Sequence, residues 1–256
     1  MTTIASSLMP QHSDIITAAF VMIGDEILSG RTEDKNLNFL ARELSECGIT
    51  LREVRVVADD EKAIIAAVQA VSKKYDYIFT SGGIGPTHDD ITSDSIAKAF
   101  NDKIIKHEVA AKILTDYYGE GNVNEARMKM AMVPSKATLL DNPVSSAPGF
   151  RIENVFVMAG VPKIFQAMFF AAKKELRFGL KTKSREIKIS LTESIIAKDF
   201  SDLQKQYPKV TMGSYPGAGI TSLVFRSTDY DALEKAVTEM SELVERIKSG
   251  SIVEIK

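Results

Sequence analysis

The chain has 256 residues, enough for one large domain or for one of ordinary size with a small companion, and either can bury a proper core. Hydrophobic residues make up 45% and charged residues 26%, with 32 basic against 34 acidic side chains. That balance excludes a disordered chain, a membrane composition and a protein built to coat nucleic acid. The lone Cys47 excludes an internal disulfide and a cysteine-based metal site, and reads as a small packing residue.

Residues 1–16 form a polar leader lacking the apolar middle and cleavage site of a secretory signal, and no apolar run is long enough to span a membrane, so a cytoplasmic protein is expected. Thr17 to Ile23 is a nearly unbroken apolar run ending at Gly24, as in a parallel strand buried on both faces. Asp34 opens a helix through Leu37, Leu40, Ala41 and Leu44, closed by Gly48, and Ile49 to Val57 is a second strand. Asp59 and Asp60 stand where a helix N-cap belongs, before the apolar stripe of Ile64, Ile65, Val68 and Val71. Tyr77 to Thr80 is a third strand that runs into S-G-G-I-G-P-T-H-D-D-I-T, Ser81 to Thr92. A helical middle from Glu108 to Met130 and an irregular stretch from Asn142 to Gly149 precede a fourth strand, Val155 to Met158, and a turn at Ala159 to Pro162.

This alternation predicts an α/β domain over 17–180, a mostly parallel open sheet with helices on both faces in a Rossmann-like three-layer arrangement. A K/R-rich boundary at Phe178 to Ser184 leads into a second domain, 184–256. Its elements are a strand at Glu186 to Leu191, a helix at Ala197 to Tyr207, strands at Val210 to Met212 and Leu223 to Phe225 joined through Gly213 to Gly219, and a helix at Tyr230 to Ile247. The β-α-β-β-α order suggests a small α+β fold of the ferredoxin-like or KH-like kind. RNA is not an expected partner, because Gly217-Ala218-Gly219 falls between strands and lacks the G-x-x-G of an RNA-binding KH loop.

Gly24-Asp25-Glu26, Asp59-Asp60 and Ser81 to Thr92 each follow a predicted strand and should share one rim of the sheet, where open α/β folds bind ligands. Gly82, Gly83 and Gly85 let the backbone turn its amides into one concavity, and a helix starting at Thr92 or Ser93 adds its positive end, which suits a phosphate. Asp89 and Asp90 beside a phosphate are electrostatically poor unless a cation intervenes, so Mg²⁺ or another divalent ion bridging Asp90, Asp59 or Glu26 to the ligand is expected. The same residues have plainer readings: Asp59 and Asp60 as helix caps, Glu26 as a solvated charge, His88 as a bystander. Arg127 or Lys129 could clamp a second phosphate, although Lys129 reads slightly better as part of a solvated helix face, while Met128, Met130 and Met132 read as core filling. No Ser-His-Asp triad or P-loop is visible.

With these residues in hand, the sequence resembles the MoaB/Mog-type molybdopterin-binding domain, and within it the competence-damage-inducible protein A (CinA-like) branch. The match runs from Gly24 to Gly30 through Asp34 and Asn36, Val57 to Asp60 and Ser81 to Thr92, then Asn124, Ala126-Arg127, Met130-Ala131, Val133-Pro134, Asn142, Ala147-Pro148-Gly149 and Gly160-Val161-Pro162. The trailing domain, with Gly213 to Pro216, is similar to the small KH-like module of CinA-like proteins. The resemblance implies that Ser81 to Thr87, including Ile84 and Pro86, holds a terminal phosphate of molybdopterin or a nucleotide. It also implies functional acidic residues at Asp59 and Asp90, and a homo-oligomer, dimer or trimer. Two activities follow as expectations. One is divalent-metal-dependent cleavage (Mg²⁺, Mn²⁺ or Co²⁺) of a pyrophosphate such as ADP-ribose or FAD, with Arg127 stabilising the second phosphate; the other is molybdopterin binding or adenylyl transfer in molybdenum cofactor biosynthesis. No deamidase function is expected, the domain that carries it in longer relatives not being among those read here. Ala159 departs from the usual Pro, Ile164 from an acidic residue and Ser145 from a glycine, which bears on the wall of the pocket and on full activity.

Overall fold

The structure, a computed structural model, describes residues 15–256, so all but the end of the expected leader lies outside the described residues. The chain divides after Gly179 into two units. The first begins with β1 (Ile16–Ile23), α1 (Asp25–Leu28), α2 (Asn36–Glu46), β2 (Ile49–Val57), α3 (Glu61–Ser72), β3 (Tyr77–Ser81) and α4 (Thr92–Ala99). It continues with β4 (Ile104–Lys106), α5 (Glu108–Tyr118), α6 (Glu125–Lys129), β5 (Met132–Pro134), β6 (Thr138–Leu140), β7 (Gly149–Ile152), β8 (Val155–Met158) and α7 (Pro162–Ala172).

Six strands form one sheet in the order β2-β1-β3-β8-β7-β6, in which β1, β2, β3 and β8 are parallel and β7 runs against its neighbours. The alternation within the apolar run of β1 explains the layering. Ala18, Phe20 and Met22 pack with Leu40 and Leu44 of α2 and Phe165 and Phe169 of α7, while Ala19, Val21 and Ile23 pack with Ile64 and Val68 of α3 and Ile96 of α4. Helices therefore cover both faces, as expected. Phe79 stacks on Phe156 at 5.3 Å between centroids, and each such buried side chain contributes about 1.5–3 kcal/mol. Among the described residues, no helix is long and apolar enough to cross a membrane.

The chain leaves β1 towards β2 on one side and returns to β3 on the other. Their carboxyl ends thus flank the point where the strand order reverses, and the loops after them diverge around a crevice.

The helical middle differs from expectation. Gly119, at φ 83, ends α5; a 3-10 turn at Glu120–Asn122 follows, and Asn124 restarts the chain as α6 by accepting the Arg127 amide at 2.9 Å. The short pairs β4–β5 and β6–β7 were not anticipated from the sequence pattern.

The second unit contains β9 (Lys183–Ile189), α8 (Glu193–Gln206), β10 (Thr211–Pro216), β11 (Thr221–Ser227), α9 (Tyr230–Ile247) and β12 (Ile252–Ile255). Its antiparallel sheet has the order β10-β11-β9-β12, the split β-α-β arrangement of ferredoxin-like folds, closed by a final strand that the sequence pattern had not suggested. Gly213 to Pro216 belong to β10 and pair with β11, so the connection shrinks to a turn closed by the Gly217 amide on the Ile220 carbonyl at 2.8 Å.

Candidate functional site

The glycine loop leaves β3 at the reversal point and is held from behind. The Thr92 hydroxyl, fully buried, donates to the Gly82 carbonyl at 3.0 Å, and the Thr92 amide donates to the Gly83 carbonyl at 2.9 Å. Gly82 lies so close to β1 that a Cβ would sit 2.1 Å from the Ile23 carbonyl oxygen, and Gly160 packs against the Gly82 Cα. Gly83, at φ +68, turns in the left-handed region. At the far end, Asp90 accepts the Thr87 amide and hydroxyl at 2.8 and 2.6 Å, and its carboxylate fills the space a Cβ on Gly85 would need. The amides of Gly83, Ile84 and Gly85 donate to no group among the described residues. Three consecutive donors are thus free on a rigid turn beside the N-terminus of α4.

Acidic residues gather on the β1 and β2 side. Asp25 donates its amide to Asp59 Oδ2 at 3.0 Å, and the Glu26 carboxylate folds back over Gly24. Burial raises the Asp59 pKa; the Asp25 amide opposes this, and the negative charges of Asp25, Glu26 and Asp89 reinforce it. Asp60 caps α3 through the Ala63 amide at 2.8 Å, its plainer reading. Among the described residues no three His, Cys, Asp or Glu side chains converge to hold a metal ion, so Asp59, Glu26 and Asp90 form no closed cage. A divalent cation that keeps waters and takes one or two carboxylates plus ligand phosphate oxygens needs none, and the mutually repelling carboxylates fit that role.

Two cavities flank the loop and share Gly160. The smaller, of about 50 Å³, is lined by Glu26, Thr32, Asp34, Asn36, Ser81 and Pro162 among others. Asn36, almost fully buried, ties the two strand ends together by donating to Ser81 Oγ at 2.9 Å and to the Gly160 carbonyl at 2.8 Å; its Oδ1 is buried with no partner among the described residues. The larger, of about 240 Å³, runs from Gly83–Pro86 and Asp90 to Asn142 and Ser145, with apolar walls from Ile84, Met130, Ala159, Val161, Ile164 and Met168.

Several expected site residues lie elsewhere. The Arg127 guanidinium stacks on the Tyr118 ring at 4.1 Å and donates to the Asn122 carbonyl, whereas Lys129 donates to the Thr87 carbonyl at the loop edge. Two residues apart on one short helix point in different directions, and α6 turns Lys129 to the loop. Pro148 and Gly149 are buried structural residues: a Cβ on Gly149 would meet the Val157 carbonyl at 2.5 Å, so glycine is what lets β7 close on β8. Thr92 supports the loop from behind, Pro162 starts α7 at the smaller cavity, and His88 projects into solvent. Sequence patterns missed Met130 as a cavity wall as well as a core residue, Met168, and Asn142 as the organiser of the 142–147 loop; the resemblance alone singles out Asn142 and Met130.

A reversal-point crevice with a fastened glycine loop on a three-layer sheet defines an α/β ligand-binding domain of the MoaB/Mog-type, CinA-like class. The chain belongs to the family described as "Probable molybdopterin binding domain", whose model matches residues 19–177, and residues 181–255 match "FAD synthase, middle domain". A protein of Archaeoglobus fulgidus is 32% identical over 88% of this chain and 96% of its own length. A "Probable FAD synthase" of Caenorhabditis elegans is 33% identical over 92% of this chain, which spans only 51% of that relative. The crystal structure of a CinA protein of unknown function from Thermoplasma acidophilum is 33% identical, with TM-score 0.60, over 64% of this chain and 99% of that one.

Proposed function

We propose that the first unit binds a nucleotide-type diphosphate across Gly82–Thr87 and cleaves its pyrophosphate bond with the help of a divalent cation. The observation that carries this is the set of free amides at Gly83, Ile84 and Gly85 lying beside the acidic group around Asp59. An anion cradle next to carboxylates is unstable unless a cation lies between them. That Asp59 is destabilised as a carboxylate, by burial and by its neighbours, supports the same reading.

In this reading Asp59 and Glu26 are the residues that would hold the cation beside the ligand's phosphates. When bound, the cation neutralises the two phosphates and lowers the pKa of a coordinated water. The amides of Gly83–Gly85 receive one phosphate and hold it without reorganisation as charge builds. Asp90, with Oδ2 engaged by Thr87, fixes the shape of the loop, and Lys129 brings positive charge to its edge, the role first expected of Arg127. The C. elegans "Probable FAD synthase" supports a dinucleotide such as FAD among the candidates, alongside ADP-ribose. Incubation with ADP-ribose, FAD or NAD and Mg²⁺, Mn²⁺ or Co²⁺ should release AMP; no release with any pair overturns the proposal.

The second reading is binding of molybdopterin, or adenylyl transfer to it, favoured by the description of the family itself. Pterin fluorescence co-purifying with the protein, or pterin-dependent transfer of AMP from ATP, distinguishes it.

A further inference from the structure

At one end of the six-stranded sheet stands β6, three residues long, and at the other stands β2, nine residues long. β2 pairs with β1 alone, and among the described residues no hydrogen bond other than those of the β1 ladder reaches the backbone of residues 52–56. Such an edge presents a row of backbone donors and acceptors to any strand that fits it.

The two faces of this edge differ in chemistry. The register with β1 sets Glu53, Arg55 and Val57 beside Ala19, Val21 and Ile23, on the side of α3, and Val54 and Val56 beside Phe20 and Met22, on the side of α2. Val54 and Val56 are 39% and 36% exposed although their partners on β1 are buried, so the apolar surface beyond β1 is uncovered. Glu53 and Arg55 form an ion pair at 2.7 Å, and Lys74 and the Tyr75 hydroxyl also bind Glu53, at 3.0 and 2.7 Å. Hydrogen bonds from Tyr75, Lys74 and Arg55 hold the Glu53 pKa down at about 2, so it is charged in any working buffer.

The order Arg52-Glu53-Val54-Arg55-Val56 selects what can pair here. When a strand pairs antiparallel with its own copy, the two-fold axis passes through one residue, and the residues on either side of it meet in exchanged pairs. With the axis at Glu53 two carboxylates face each other, at Arg52 or Arg55 two guanidinium groups do, and at Val56 Glu53 faces Asp59. With the axis at Val54, Glu53 faces Arg55 twice, and Val54 meets its own copy on the opposite face beside Val56 of both chains. Unlike charges directly opposite stabilise a ladder and like charges destabilise it. Arg52 is the extra residue of a bulge, since Leu51 pairs with Ala18 and Glu53 with the next residue, Ala19. A bulge interrupts regular pairing, which keeps the match short and confined to this register.

We propose that β2 is a self-association edge, on which two copies of this chain pair antiparallel through residues 53–55 with the two-fold axis at Val54. Glu53 and Arg55 of the two copies form a ring of alternating charges on one face, and Val54 and Val56 form a seam of four valines on the other. The contact is isologous and occupies both edges, so it closes as a dimer and joins the two six-stranded sheets into one. Pairing over so short a segment makes a weak dimer in exchange with the monomer.

Sedimentation velocity on the full chain, from low to high micromolar concentration, tests this. The wild-type chain should pass from monomer to dimer as concentration rises. Glu53→Lys and Arg55→Glu should each weaken the dimer at least about tenfold by setting like charges opposite one another. Mixed together, the two variants should associate, because the positive edge of one faces the negative edge of the other. Val54→Lys leaves the contacts of Glu53 intact and should weaken self-association as strongly, which keeps the test open if circular dichroism shows that a charge variant has not folded. A wild-type chain that stays monomeric throughout leaves the edge to solvent or to a strand of another protein, and overturns the proposal. An oligomer that all three variants leave unmoved is held by another surface and overturns it too, as does a mixture of the charge variants that associates no better than either alone.

Discussion

Replacing Gly83 by alanine tests the loop most directly, because its cost can be built from separate terms. The left-handed φ of +68 costs an alanine about 1–2 kcal/mol. The new Cβ would lie 2.1 Å from Thr92 Oγ1 and 3.1 Å from Thr92 Cβ, so the buried hydroxyl must turn away and abandon the Gly82 carbonyl, at about 1–3 kcal/mol. Together these amount to roughly 2–5 kcal/mol, or a melting temperature lower by about 5–15 °C for a unit of this size. Pyrophosphate affinity by calorimetry should fall in parallel, since the free amides of Gly83–Gly85 lose their shared direction. The clash can be isolated with Thr92→Ala, which removes the atom struck but also the tie to Gly82. The double variant Gly83→Ala/Thr92→Ala should be less destabilised than the two single variants summed, by at least about 1 kcal/mol. Additive losses would refute the contact between Gly83 and Thr92 as the reason for glycine.

Gly82→Ala should be worse than Gly83→Ala, because its Cβ would meet the Ile23 carbonyl of β1, a backbone atom that no side-chain rotation relieves; a melting temperature above that of Gly83→Ala contradicts this. Asp59→Asn should raise the melting temperature near neutral pH. The folded pKa of Asp59 lies above the ordinary 3.8, so the protonated form is favoured by folding and the ionised form is penalised. The gap between variant and wild type should narrow as pH falls through that raised value and vanish below 3.8; a gap that persists in acid is inconsistent with it. Arg127→Ala should cost stability by about 0.5–1 kcal/mol, through the lost contact with Tyr118, and leave pyrophosphate affinity unchanged. Lys129→Ala should weaken that affinity by roughly fivefold, about 1 kcal/mol at a solvated site; the reverse pattern would restore Arg127 as the phosphate clamp.

What was legible in the sequence was what local pattern controls. The double-faced burial of β1 shows as an unbroken apolar run, and the helix at Tyr230–Ile247 as an amphipathic stripe, to which the structure adds a cap at Asp229 that accepts the Ala232 amide. Ser81 to Thr92 was readable because glycines, aspartates and threonine act there within a dozen residues of one another. The short strands were not, since Ile104 pairs with Pro134 and Thr138 with Arg151, and strands of three residues carry too few side chains to show a period. Nor could the sequence separate Arg127 from Lys129, because the choice depends on how α6 is rotated after the break at Gly119.

The larger cavity was hidden for a related reason, which α7 makes plain. Phe165 and Phe169 are one turn apart and fully buried against β1 and β3, while Ile164 and Met168, also one turn apart, border the same core and reach the cavity. All four are apolar, so pattern alone assigns them to one stripe. Their positions relative to the carboxyl ends of the strands divide them, because only the face turned to the glycine loop can meet a ligand. Changes at Phe165 or Phe169 should therefore appear as loss of fold, costing about 3–5 kcal/mol on truncation to alanine. A polar change at Ile164 should appear in ligand preference first.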